Sequence, residues 1–338
     1  MKRSIYIFVF AISLTLGLIA CNTGKDSEAG KKDTGSAANE KVRIVLDWTP
    51  NTNHTGLYVA QEKGYFAEQG LEVEIMQPPE GSTTSLVGAG GAEFGISFQD
   101  TLAATFASDN PIPVTAVAAI IQHNTSGILS LKETGIDRPA KMAGHSYATW
   151  DSPIELAMIK KIVEDDGGKF EDIELIPNTV TDEVTALQTD IESVWVYYAW
   201  GGIKAEIEGL ETNYLNFADY GQELDFYTPV IVANNEFLKN KPEIAKKALA
   251  AIKAGYEYAI ENPKEAAKIL LKAAPELDEE LVTRSQEWLK DKYKAEVERW
   301  GYIDQKRWDS FYNWLYENRL VEKKIPEGYG FSNDYLPE

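Results

Sequence analysis

The sequence predicts an α/β fold, and three observations carry that prediction. Short apolar runs of strand length alternate with stretches of helical periodicity. Several of those runs stop at polar and aromatic residues just before a helix begins. About 300 residues follow a polar N-terminal stretch, more than one typical core holds, so two lobes are expected.

The first strand is expected over 42–46, followed by an amphipathic helix over 56–69. Strands over 71–76, 94–98, 114–121 and 128–131 follow, with helices over 83–88 and 101–107 between them. A second set has strands near 146–148, 174–176 and 193–197, with helices over 153–165 and 182–189. Pro153 suits the first turn of its helix, where a missing N–H costs nothing. A strand returns over 229–233, and from Pro242 onward the chain reads as helix. There Ile244, Leu249, Ile252, Tyr256 and Ile260 fall close to one helical face and are core. Further helices are expected over 264–273, 279–293 and 305–317, and no internal repeat is evident.

The N-terminus has a different character. Lys2 and Arg3 precede an apolar run of 15 residues, Ile5 to Ile19, which reads as a signal peptide over 1–20 and is short for a membrane span. Leu18-Ile19-Ala20-Cys21 matches a bacterial lipobox, so Cys21 is expected to carry lipid. Residues 22–40 contain no aromatic residue and no Val, Ile, Leu or Met, so 21–40 should form a flexible tether behind that anchor. The protein is then expected on the outer face of the cell membrane, held by acyl chains.

The formal net charge is −20, which argues against nucleic-acid binding, since that needs a cationic footprint. It also mildly favours a neutral or cationic ligand over an anionic one. Cys21 is the only cysteine, so the folded part has no disulfide, thiolate metal site or cysteine nucleophile. Three histidines, His54, His123 and His145, form no HxxxH or HExxH pair, and no Gly-x-Ser-x-Gly elbow occurs. No metal, cofactor or catalytic set is therefore expected.

The residues suited to hold a small molecule sit at strand ends. After the first strand, Trp48 offers a flat apolar face, and Asn51 and His54 offer donors and acceptors. These residues also suit helix capping and turn chemistry. Gln99 and Asp100 stand at another strand-to-helix junction, and Asn124 lies in a polar break between two apolar strands. Asp151 and Ser152 precede Pro153, where free helix N–H groups could meet a polar ligand atom. Around 193–200, Trp195, Tyr197, Tyr198 and Trp200 put four aromatics in six residues, with Trp195 and Tyr197 on one strand face. Such a wall suits a flat heterocycle.

The segments Asp47–Ala60, Gly70–Glu74, Ala92–Ser97 and Asn235–Leu238 resemble the SsuA/THI5-like (NMT1-like) substrate-binding lipoproteins of ABC transporters. The likeness covers nearly all of the chain after about residue 41. It implies a type II periplasmic-binding-protein fold, with two α/β lobes joined by two hinge crossings near 122–128 and 224–232. Lobe 1 would hold about 41–123 and 230–338, and lobe 2 about 127–227. The implied role is an ABC importer's solute-binding component, a monomer whose partners are permease and ATPase subunits.

Within that family the Asp-Trp-x-Pro-Asn-x-x-His wording looks like the ThiY-type branch, which implies a thiamine pyrimidine precursor as ligand. That branch carries an acidic residue shortly after the strand matching 193–197. Here Tyr198 and Trp200 stand in that place and Glu206 is the next acid, so riboflavin or another aromatic metabolite stays open. The family also includes THI5-type pyrimidine synthases, which resemble this chain at Lys63-Gly64-Tyr65-Phe66. Their cysteine-rich iron motif is missing here.

Overall fold

The computed structural model describes residues 39–177 and 182–338. The signal peptide, Cys21 and the tether up to residue 38 lie outside the described residues. Glu40, expected in the tether, is already strand and pairs with Leu71.

In chain order the strands are β1 (Glu40–Val45), β2 (Leu71–Met76), β3 (Phe94–Ser97), β4 (Val114–Ala119), β5 (Ser126–Leu131), β6 (Ser146–Thr149), β7 (Glu174–Pro177), β8 (Ser193–Tyr197), β9 (Thr212–Asn216) and β10 (Val230–Asn234). The helices are α1 (Thr55–Glu62), α2 (Tyr65–Glu68), α3 (Thr83–Gly88), α4 (Gln99–Phe106), α5 (Pro153–Asp165), α6 (Glu183–Leu187), α7 (Ile203–Ile207), α8 (Asn235–Asn240), α9 (Pro242–Glu261), α10 (Pro263–Ala273), α11 (Glu279–Leu289) and α12 (Gln305–Glu317).

Two five-stranded sheets result, ordered β2-β1-β3-β10-β4 and β7-β6-β8-β5-β9. The two orders are the same pattern. β1 and β6 run parallel to both neighbours, while β10 and β5, each the first strand after a crossing between the sheets, run antiparallel to theirs. The chain passes between the sheets twice, through residues 120–125 and 217–229. Hydrogen bonds tie the two crossings together: the Asn124 N–H donates to Asp225 Oδ1 at 2.9 Å, and Asn124 Nδ2 donates to the Leu224 carbonyl at 2.8 Å. His123 adds Nδ1 to Asp225 Oδ2 at 2.7 Å and Nε2 to Glu296 Oε2 at 2.9 Å.

Strand alternation explains how each sheet fills two cores. Val42, Ile44, Ile231 and Ala233 enter one cluster with α1, α9 and α10, while Val45, Val230 and Val232 enter the cluster on the opposite face. In the second sheet Val194 and Val196 join a small cluster under α6 and α7, and Trp195 turns to the other side. α1 and α9 cross at two glycines. A Cβ on Gly255 would lie 2.0 Å from the Gly56 carbonyl oxygen, so no side chain fits there.

The expected elements differ from the observed ones at identifiable places. The helix over 56–69 breaks at Gly64, whose φ of 79° lies in the left-handed region. The strand over 114–121 stops at Ala119, where the first crossing begins, and the helix over 279–293 ends at Leu289. β9 was not expected. It is a sheet-edge strand of sequence Thr-Asn-Tyr-Leu-Asn with only Leu215 buried, so it lacks the apolar signal. α7 and α8 are too short to show a period. No described helix is long and apolar enough to cross a membrane.

Candidate functional site

A cavity of about 320 Å³ lies where the carboxyl ends of β1, β3, β6 and β8 meet. This is where open α/β sheets present their loops to ligands. The turn after β1 contributes Asp47, Trp48, Asn51, Thr52 and Asn53, and Phe98 comes from the end of β3. Thr125 lies in the first crossing. From the second sheet come Trp150 after β6, Glu183 at the start of α6, and Trp195 and Tyr197 of β8. Ala199, Trp200 and Gly201 complete the wall from one turn of π-helix, Tyr198–Gly202, that follows β8.

The turn after β1 is fixed from within and from behind. Asn51 Oδ1 accepts from the Asn53 N–H at 2.9 Å, and the Asn51 N–H donates to His54 Nδ1 at 3.2 Å. A ring nitrogen that accepts carries no proton, so the neutral ring has its proton on Nε2, which donates to Asp47 Oδ1 at 2.7 Å. From behind, Ser285 Oγ lies 2.6 Å from Thr52 Oγ1. The Tyr293 and Tyr256 hydroxyls donate to the carbonyls of Thr52 and Asn53 at 2.7 and 2.6 Å.

The equivalent turn after β6 is organised by one buried carboxylate. Glu155 accepts from the Tyr147 hydroxyl at 2.6 Å, the Thr149 hydroxyl at 3.1 Å and the backbone N–H groups of Trp150 and Ser152. Asp151 has a φ of 59°, and its N–H donates to Thr149 Oγ1 at 2.8 Å. Asp151 and Ser152 therefore shape the turn, and Trp150 is what the turn delivers to the cavity.

Aromatic rings dominate the walls. Trp48 and Trp150 are 49% and 48% exposed, unusual for large apolar side chains. Trp150 stands 5.6 Å from Trp195 at an interplanar angle of 47°, and Phe98 lies nearly parallel to Tyr197 at 6.3 Å. The described lining residues include two carboxylates, Asp47 and Glu183, and among them is no lysine, arginine or histidine. Burial raises the Glu183 carboxyl above its usual range; neighbouring Asp182 adds to this and Lys204 opposes it.

Of the residues singled out in the sequence, Trp48, Asn51, Trp195, Tyr197 and Trp200 line this cavity. The others have different places. His54 is fully buried behind Asp47. Gln99 is buried, donating to the Trp308 carbonyl at 2.8 Å and accepting from the Tyr227 N–H at 2.9 Å. Asp100 Oδ1 is sealed without a partner, and burial pushes its carboxyl up to about 6. Asn124 binds the second crossing. Tyr198 points away from the cavity, its hydroxyl donating to Glu206 and its ring 5.3 Å from Trp288. Glu206 is turned the same way and pairs with Arg284.

Sequence reasoning did not single out Glu183, Trp150, Phe98 or Thr125. Trp150 had a signal, since it follows β6 as Trp48 follows β1, but that correspondence is visible only once the two sheet orders are compared. Glu183 had none, because an acid at a helix start reads as a dipole partner.

The chain matches the family described as NMT1/THI5 like over residues 51–266. It is 28% identical over 335 residues to a formylaminopyrimidine-binding protein of Halalkalibacterium halodurans, covering 95% of this chain and 97% of the relative. A Saccharomyces cerevisiae 4-amino-5-hydroxymethyl-2-methylpyrimidine phosphate synthase is 28% identical over 320 residues, covering 88% of each. The crystal structure of the periplasmic aliphatic sulphonate binding protein SsuA from Escherichia coli aligns with a TM-score of 0.66 at 15% identity, over 85% of this chain and 90% of that one. The repeated sheet order and the two crossings are those of the type II periplasmic-binding-protein fold. With more than half of its length matched by the family, this chain belongs to the NMT1/THI5-like proteins.

Proposed function

We propose that this protein is the extracytoplasmic solute-binding component of an ABC importer and captures a pyrimidine precursor of thiamine, without catalysing a reaction. The observation that carries the reading is the cavity: aromatic faces from both sheets, two carboxylates and, among the described residues, no cationic side chain in its lining. Flat rings stack on such walls, and carboxylates accept hydrogen bonds from an aminopyrimidine's N–H groups. A sulfonate or phosphate ester would find no positive charge there. At about 320 Å³ the cavity stands at the low end for small-molecule sites, which suits a single ring better than a three-ring flavin with its polyol chain. Glu183 supplies the acidic reader from α6 rather than from the segment after β8. Permease and ATPase subunits would be the partners, and lipid at Cys21 would anchor the protein outside the membrane.

The synthase relatives favour a second reading. Against it, Lys63, where the resemblance to the synthases implies a lysine that holds pyridoxal phosphate, is outside the cavity lining; its ammonium stands 4.3 Å from the Tyr258 ring at the end of α1. Calorimetry with formylaminopyrimidine, hydroxymethylpyrimidine, its phosphate ester, riboflavin and an alkanesulfonate tests the proposal. Tight binding of an unphosphorylated pyrimidine is expected. Preference for the phosphate ester, riboflavin or the sulfonate would overturn it.

A further inference from the structure

α11 touches both walls of the cavity. It packs on α10 within the body that carries the first sheet. On α11 two consecutive residues serve different lobes. Ser285 Oγ is 2.6 Å from Thr52 Oγ1, behind the wall built by the first lobe. Arg284 forms an ion pair with Glu206 of α7, in the second lobe. The other Glu206 oxygen accepts the Tyr198 hydroxyl. One turn along α11, Trp288 lies 5.3 Å from the Tyr198 ring at 36°. Tyr198 opens the π-turn whose next three residues line the cavity.

The lobes thus share a third, non-covalent connection beside the two chain crossings. A hinge rotation that parts the cavity walls must pull α7 and the π-turn from α11. The Arg284 and Glu206 side chains are each 39% exposed, and such a pair contributes little beyond a few-fold bias. That is the strength a reversible fastening needs, since a stronger one would trap the ligand.

We propose that Arg284, Glu206, Tyr198 and Trp288 form a latch that sets the resting balance between open and closed cavity, and through it how long a ligand stays. The residence-time part rests on reading the cavity as the ligand site, while the balance itself does not.

Small-angle X-ray scattering of the ligand-free protein tests the latch. Arg284→Ala and Trp288→Ala should each enlarge the radius of gyration, and Tyr198→Phe, which removes one hydroxyl and leaves the packing, should do so to a smaller extent. Arg138→Ala is the control, because Arg138 and Asp166 pair within the second lobe; it should leave the radius unchanged. Exchanging the charges, Arg284→Glu with Glu206→Arg, should return the radius toward its parent value. With a bound pyrimidine, dissociation should quicken about two- to fivefold for Arg284→Ala and about tenfold for Trp288→Ala. An unchanged radius in both alanine variants overturns the latch, whatever the dissociation rates do. Failure of every pyrimidine to bind would instead remove the proposed function and leave the scattering result to decide the latch.

Discussion

His54 Nε2 lies 2.7 Å from Asp47 Oδ1, and the proton between them is the only one on the ring, because Nδ1 accepts the Asn51 N–H. The histidine is therefore neutral and orients the Asp47 carboxylate without cancelling its charge. His54→Ala should free Asp47 to turn and weaken pyrimidine binding by about 1.5–3 kcal/mol, the scale of a hydrogen bond to a charged group. Calorimetry on a variant whose circular dichroism matches the parent checks this. Full retention of affinity would remove Asp47 from the recognition of ligand.

Trp48 and Trp150 are about half exposed in the free protein. A ligand ring between them should quench and blue-shift tryptophan emission. Trp150→Ala should cost about 1–3 kcal/mol of binding, as expected for loss of one ring stacked on a base, with little change in melting temperature. An unaltered dissociation constant would show that the ligand does not reach the Trp150 side.

Asp100 gives a pH signature. Burial raises its carboxyl to about 6, and Oδ1 has no partner. The folded state then holds a proton more tightly than the unfolded state. This group favours folding below about 4 and loses that contribution as pH rises through 6. Asp100→Asn should therefore raise stability by about 3 kcal/mol at pH 7–8 and make little difference near pH 4. Denaturant titrations at both pH values decide it, and an equal effect at the two would exclude Asp100 as the cause.

His123 gives a pH dependence of the same sign, set at a higher pH. Its hydrogen bond to Asp225 raises its pKa most, Glu296 adds to this, and burial and Arg307 oppose it. Its contribution to stability is present below the ordinary histidine value and fades as pH climbs through the raised one. His123→Gln should lower the melting temperature at about pH 6 and do so less at about pH 8.5. A loss independent of pH would mean that the ring acts by packing alone.

The crossing of α1 and α9 makes the sharpest packing prediction. A methyl on Gly255 would meet the Gly56 carbonyl oxygen at 2.0 Å, a fixed Cβ against backbone, which a rotamer change cannot relieve. Gly255→Ala should destabilise by about 1–3 kcal/mol or more, read as a lowered denaturant midpoint. Parent-like stability would mean that the two helices can slide apart at no cost.

The sequence made the strand and helix rhythm legible because most strands are buried on both faces and so read as unbroken apolar runs. It concealed β9, an edge strand of polar residues, and the break at Gly64, which a continuous apolar face disguises. At the site, aromatic strand ends such as Trp48 and Trp195 stood out because they are excessive for a core. Gln99 and Asn124 looked equally suited to a ligand, yet their amides satisfy backbone groups brought close by the fold, from Tyr227, Trp308 and Leu224. Such partners are a hundred or more positions away along the chain and leave no local pattern.

The matching order of the two sheets has a consequence for how a guest molecule would lie. Trp48 and Trp150 end corresponding strands, so a planar ring meets the same kind of surface above and below. Stacking alone would then accept the ring either way up. Only what differs between the halves can break the tie: Asp47, two residues past β1, lines the cavity, whereas Asp151, two residues past β6, does not, and the carboxylate of the second half, Glu183, comes from a helix instead. Orientation, as distinct from grip, would be decided by those two acids.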